Sequence, residues 1–155
     1  MGIRLAAFAA VSVLGLCSCD FVEPAVGDPL AACVDADSDT GHLVDFATEI
    51  RPRFSGKVPN LKGCGSCHYP VGTREGLDAV QLDLSTLAGI RAGGVNTRGT
   101  IIVKGSPCKS AIVQKLRGSF AVGARMPKTG PYWGPQDIQV LMDWIAEGAN
   151  GDGSL

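Results

Sequence analysis

Cys64-Gly65-Ser66-Cys67-His68 sets two thiols and an imidazole within five consecutive residues, the tightest chemical constraint in this 155-residue chain. From composition alone such a run arises in roughly 0.3% of chains like this one, so chance explains it poorly. Three chemistries use a dithiol of this spacing. A thioredoxin-like redox pair wants a βαβ setting, and no strand pair in the sequence is convincing. A zinc site wants two more ligands at similar spacing, and there is no second Cys pair or His pair. C-x-x-C-H is also the attachment signature of c-type haem. There the thiols of Cys64 and Cys67 would add across two porphyrin vinyl groups, and His68 would reach the iron as proximal ligand.

An iron held by one imidazole has a sixth position, and its occupant decides between electron transfer and ligand chemistry. Of three methionines, Met1 leaves with any signal sequence, and Met142 lies on the apolar stripe of a helical segment, where packing explains it. Met126 stands in Arg125-Met126-Pro127, outside any helical period, with Pro fixing the backbone after it. A thioether so placed has little packing reason to be there, and Met126 is the expected distal ligand. The rival, His42, reads as a surface or hinge residue at the start of the domain.

Gly (21) and Pro (9) make 30 of 155 residues and aromatics only 6%, which favours short elements joined by long loops. Asp45 can cap a helix from Phe46 to Phe54, where Phe46, Ile50 and Phe54 recur every fourth residue; Pro52 predicts a kink or early end. Ser106-Pro107 reads as a helix start for Cys108 to Leu116, before Gly118. Gly134-Pro135 opens the strongest helix, with Ile138, Leu141, Met142, Ile145 and Ala146 on one face, ending at Gly148. The expectation is an all-α domain of three to five helices whose loops wrap a cofactor, because so thin a core needs something to pack around.

The N-terminus reads as an export signal. Arg4 precedes the apolar run 5–16, whose 12 residues as a helix reach only ~18 Å, short of a ~30 Å hydrocarbon core. Leu16-Cys17-Ser18-Cys19 resembles a bacterial lipobox, which makes Cys19 the expected lipidated N-terminus; Cys17 departs from the usual residue there, and ordinary secretion is the alternative. The expected organisation is a lipoprotein signal peptide over 1–18, a flexible tether over 19–41, a domain over 42–150 and a disordered tail over 151–155. With Arg4 removed, 13 basic residues face 15 acidic ones, a charge of −2, giving no nucleic-acid footprint.

These elements together resemble the class I cytochrome c superfamily, most closely the small cytochrome c domains of planctomycete and myxobacterial proteins. The resemblance is carried by Asp45-Phe46 and Glu49-Ile50-Arg51-Pro52 before the haem motif, and by Leu82-Asp83-Leu84 and Gly93-Gly94 after it. It continues through Gly105-Ser106-Pro107, Ser110, Arg125-Met126-Pro127, Trp144-Ile145 and Gly148-Ala149, covering about Asp45 to Asn150. It implies a small cytochrome c-like fold with one covalent haem on Cys64 and Cys67 and iron ligands His68 and Met126. Two departures stand out: Gly56 to Gly63 is longer than usual, and the mature part carries two further cysteines.

Those two emerge by subtraction. Cys17 and Cys19 belong to the signal and anchor and Cys64 and Cys67 to the haem, so 6 − 4 leaves Cys33 and Cys108. In an oxidising compartment they are candidates for a disulfide; two free thiols, or Cys108 simply buried on its helix, are the alternatives. The functional expectation is a non-enzymatic electron carrier, lipid-anchored on the periplasmic side of a bacterial cell envelope, meeting donor and acceptor proteins transiently. A haem-based sensor, or an accessory domain of a peroxidase or oxidase with a displaceable methionine, is the alternative. Tyr132-Trp133 would donate to a haem propionate or only wall the crevice, Arg51 and Arg53 would face propionates or solvent, and Gly93-Gly94 reads as a turn.

Overall fold

The computed structural model describes residues 30–151. The expected signal peptide, Cys17, the lipidation candidate Cys19, the stretch 19–29 and residues 152–155 lie outside the described residues. Among those described there is no strand, and the domain is all-α: α1 (Arg51–Ser55), α2 (Gly65–His68), α3 (Glu75–Val80), α4 (Leu87–Ala92), α5 (Ala111–Arg117) and α6 (Pro135–Ala146). None of these helices is long and apolar enough to cross a membrane.

Asp45 starts the first helical run as its sequence position suggests. Its carboxylate accepts from the Thr48 amide at 2.7 Å, and Glu49 returns a carboxylate to the Asp45 amide at 2.9 Å. Residues Phe46–Ile50 form a widened π turn, with the Arg51 amide donating five residues back to Phe46. Helix α1 then carries Pro52 in its first turn, where no amide is needed. The proline is therefore accommodated by a wider turn ahead of it and does not end the helix. Termination falls at Gly56, in the left-handed region at φ 74°.

The middle helix begins later than its sequence signals suggest. Ser106 makes no capping bond, Pro107–Lys109 is a single 3₁₀ turn, and Ser110 is extended, so α5 opens at Ala111. The cause is the fully buried Ser110 hydroxyl, which accepts from the Val103 amide at 2.8 Å and donates to the Ser106 carbonyl at 3.1 Å. Satisfying those loop groups costs the helix its continuity. Two helices carry no strong sequence signal: α3 holds Gly76, and α4 holds Gly89 between a Thr86 cap and Gly93.

The core sits where the Phe46–Ile50 turn, α5 and α6 meet. Phe46, Ile50 and Phe54 present one stripe to Ile138, Leu141, Trp144 and Ile145. Phe46 lies 5.4 Å from the Trp144 ring and Phe54 6.1 Å from Trp133, within the range of favourable tilted aromatic pairs. Both indoles also satisfy their N–H groups, Trp133 on the Lys62 carbonyl at 2.9 Å and Trp144 on the Asn150 carbonyl at 2.7 Å. Met142 is buried on α6 within this core.

Residues 30–41, part of the stretch expected as a tether, are fastened to the domain. Cys33 and Cys108 are joined, with their Cα atoms 5.7 Å apart. Asp35 accepts from the Cys108 amide at 2.7 Å, and the Arg117 guanidinium donates to the Ala31 carbonyl. Buried Asp143 on α6 accepts from both the amide (2.8 Å) and hydroxyl (2.7 Å) of Ser38 and from Gln139 at 2.8 Å. A buried carboxylate held by three donors is worth far more formed than broken.

The bridge closes a loop with a separation of 75 residues. In chain-entropy terms its removal by Cys33→Ala with Cys108→Ala costs about 2–5 kcal/mol, read as a lower urea midpoint, with faster amide exchange across residues 30–41.

Glu147 gives a pH signature. Burial holds its carboxyl above the ordinary value of 4.5, the Val44 amide bond at 2.8 Å offsetting only part of this. The folded state then binds more protons than the unfolded one, so this group's share of stability falls as pH rises from 4.5 through its folded value. Glu147→Gln keeps an acceptor for Val44 and removes the slope: relative to the parent, its urea midpoint is higher at pH 7 than at about pH 4.5.

Candidate functional site

The four-residue helix α2 is too short to stand alone and is fixed from outside. The Cys64 amide donates to the Phe54 carbonyl at 2.7 Å, tying the start of α2 to the end of α1. The Ser66 carbonyl at the other side accepts from the Thr73 amide and hydroxyl, each at 2.9 Å. Cys64 caps the turn, its carbonyl receiving the Cys67 amide at 3.2 Å and the His68 amide at 2.9 Å. Both thiols and the imidazole thereby belong to one rigid turn.

His68 is held on two sides. Its Nδ1 lies 3.1 Å from the Leu82 carbonyl, which only accepts, so Nδ1 carries the proton and Nε2 keeps its lone pair. Helix α3 presses Gly76 against the ring: a Cβ there would stand 2.6 Å from Nε2 and 2.5 Å from Cε1. Burial lowers the imidazole pKa, the Leu82 bond opposing it in part, which favours the neutral ring a metal ligand requires.

Cys64, Cys67, His68 and Met126 all line one open cavity of about 370 Å³. Its walls include Leu82, Ile101, Ile112, Leu116 and Phe120, an apolar surround of the kind that takes organic ligands. Met126 arrives from the loop between α5 and α6, where its amide donates to the Lys115 carbonyl at 3.0 Å. The four side chains expected from sequence to act together are thus brought to one space.

Electrostatics separate the possible uses of the dithiol. Burial, then the neighbouring Cys67, pushes the Cys64 thiol up to about 12. A redox nucleophile needs the reverse, a thiol stabilised as thiolate at neutral pH. Among the described residues no three His, Cys, Asp or Glu side chains group as a metal site would need, so a bare zinc ion lacks further protein ligands here. The donor set fits a flat apolar cofactor that brings its own metal ligands: two unpaired thiols, a neutral imidazole and a soft thioether beside an apolar wall.

Other candidates lie elsewhere. His42 is exposed and pairs with Glu49 at 3.0 Å. Trp133 and Tyr132 do not line the cavity; the Arg125 guanidinium lies 4.1 Å over the Tyr132 ring. Arg53 is engaged with Asp137 at 3.2 Å and the Glu49 carbonyl at 2.7 Å, and Arg51 lies over Phe46, so neither faces the cavity. Sequence reading missed Gly76, and also Lys62 and Lys115, which hold the Met126 loop.

Gly76→Ala sets two effects against each other. Helix propensity favours alanine by about 1 kcal/mol, but a Cβ in contact with the imidazole costs about 1–3 kcal/mol of overpacking, so the clash wins. The variant is expected to have a lower urea midpoint, and nitrogen NMR of His68 is expected to show the loss of the Nδ1–Leu82 bond.

Comparison of the chain with protein-family models, with curated proteins and with solved structures found no match in any of the three.

Proposed function

We propose that this chain is a monohaem c-type cytochrome that carries single electrons between redox proteins of a bacterial cell envelope. The observation that carries this reading is the convergence of Cys64, Cys67, His68 and Met126 on one apolar cavity. The order of these residues in the chain, and their likeness to the class I cytochrome c pattern, support the same assignment and the finer fold it implies. Cys64 and Cys67 would hold the macrocycle through thioether bonds, and His68 Nε2 and Met126 Sδ would supply donors to its metal. A haem so bound supplies one reversible electron at its iron.

The residues around it have defined tasks. Leu82 orients the imidazole through its carbonyl and keeps Nδ1 protonated, which leaves Nε2 the lone pair that a metal would take. Ile101, Ile112, Leu116 and Phe120 give the cavity apolar walls, and apolar surroundings would disfavour extra positive charge at the centre. Met126 would add a soft donor, which favours the reduced state and would compete with a substrate for the metal. That combination suits transfer of electrons and not turnover of a bound molecule, hence a protein that is not itself an enzyme.

The envelope location rests on the sequence: Arg4, the apolar run 5–16 and the lipobox-like Leu16-Cys17-Ser18-Cys19. Because Cys33 and Ser38 are fastened to the domain, only residues 19–29 separate a lipid on Cys19 from the described chain, at most about 40 Å of contour. Such a tether keeps the domain near one membrane and raises the effective concentration of partners there. Contacts with electron donor and acceptor would be small and transient.

The test is the spectrum of full-length protein exported from a host that matures c-type cytochromes. The ferric form is expected to show the sulfur-to-iron band at ~695 nm, and the ferrous form to ignore carbon monoxide at neutral pH. Met126→Ala should lose the band and bind the gas. A colourless product overturns the proposal, and parent protein that binds carbon monoxide freely assigns the chain instead to gas sensing or to an accessory role beside a haem enzyme.

A further inference from the structure

The loop that delivers Met126 has little apolar packing of its own. Between α5 and α6, Ala121, Val122, Gly123, Ala124, Lys128 and Thr129 are exposed, and Pro127 is buried. Something other than a hydrophobic core must fix it. Two ammonium groups do so, one on each side of Met126.

Lys115, in the last turn of α5, is the first. Its Nζ donates to the Val122 carbonyl and, at 3.3 Å, to the Ala124 carbonyl, and it lies 4.9 Å from the centre of the Phe120 ring. The same residue's backbone carbonyl receives the Met126 amide at 3.0 Å. The loop passes so close that a Cβ at Gly123 would stand 3.1 Å from Nζ, and Gly123 adopts φ +73°, a conformation side chains disfavour. Lys62 is the second: its Nζ donates to the carbonyls of Lys128 at 3.1 Å and Gly130 at 2.7 Å. Its own carbonyl is anchored by the buried Trp133 indole.

Resting on the haem reading, we propose that Lys115, assisted by Lys62, is the positioning residue for Met126, clamping the loop so that the thioether stays at the cavity. Charge-assisted bonds to carbonyls are stronger than neutral ones, and a lysine with several partners can gather a loop that has no regular structure. The Val122 and Ala124 carbonyls belong to exposed residues. Removing the ammonium therefore returns them to water at small cost in stability while freeing the loop. Loss of placement without loss of fold distinguishes a clamp from a merely structural lysine.

The experiment compares Lys115→Met, Lys115→Arg, Lys62→Met and the exposed control Lys109→Met, all as exported full-length protein. Two readouts come from the same samples: ligand spectroscopy and the amide exchange rate of Met126. Lys115→Met is expected to lose most of the ~695 nm ferric band and to gain about 10- to 100-fold in ferrous carbon monoxide affinity, with a near-parental urea midpoint. Its Met126 amide should exchange at least about tenfold faster. Lys115→Arg should restore both readouts, Lys62→Met should shift them in the same direction by less, and Lys109→Met should match the parent.

If Lys115→Met does not fold, Gly123→Ala tests the same contact with the lysine kept, and the same two shifts are expected. Unchanged band, gas affinity and Met126 exchange in the Lys115 or Gly123 variant overturn the clamp. A parent that lacks the band, with Met126 exchange still accelerated in Lys115→Met, overturns methionine ligation and upholds the clamp as the device that fixes the loop.

Discussion

The imidazole of His68 is fixed between a carbonyl that accepts its Nδ1–H hydrogen bond and a glycine that makes room for its ring. Without the Leu82 acceptor at 3.1 Å the ring has no preferred tautomer, and without the bare Cα of Gly76 helix α3 cannot lie against it. Both supports come from segments later in the chain than the Cys64–His68 turn, so the site is assembled only when that stretch folds back. The placement of the imidazole beside the cavity depends on that closure.

The rest of the domain holds this corner steady with a small but well-satisfied core. Phe46 meets α6 through Trp144, Phe54 pairs with Trp133 just ahead of that helix, and both tryptophan N–H groups find carbonyls. A thin helical core gains from covalent reinforcement, and the Cys33–Cys108 bridge supplies it by pinning residues 30–41 beside α5 and α6. Asp143 adds a polar lock at the same seam, where Ser38 meets α6. The domain thus begins earlier in the chain than composition suggests, because Asp-rich polar sequence can be ordered by specific bonds as well as by apolar burial.

Local signals explain why parts of the fold are legible in the sequence. The Asp45 cap and the α6 stripe are signals that long or well-capped helices broadcast, and both stand where the sequence places them. The C-x-x-C-H run and the isolated Met126 are conspicuous by being chemically out of place, and they share one cavity. Short helices are the blind spot: α3 and α4 have six residues each and contain glycines that helix propensity penalises, so neither sustains a readable period. Ser110 misleads because a serine just inside a helical pattern looks like a tolerable residue, while its hydroxyl in fact serves the 103–106 loop. The lysine contacts to the Met126 loop are invisible in sequence because they join side chains to backbone carbonyls, which carry no residue-type signature.

One covalent cofactor spanning the thiols and the cavity would tie the arrangement together. The most direct measurement is the intact mass of the exported protein after full denaturation. The account predicts the mature polypeptide plus the mass of one haem, an increment that disappears when Cys64 and Cys67 are both replaced by serine. A bare polypeptide mass from a host that loads other c-type cytochromes would contradict it.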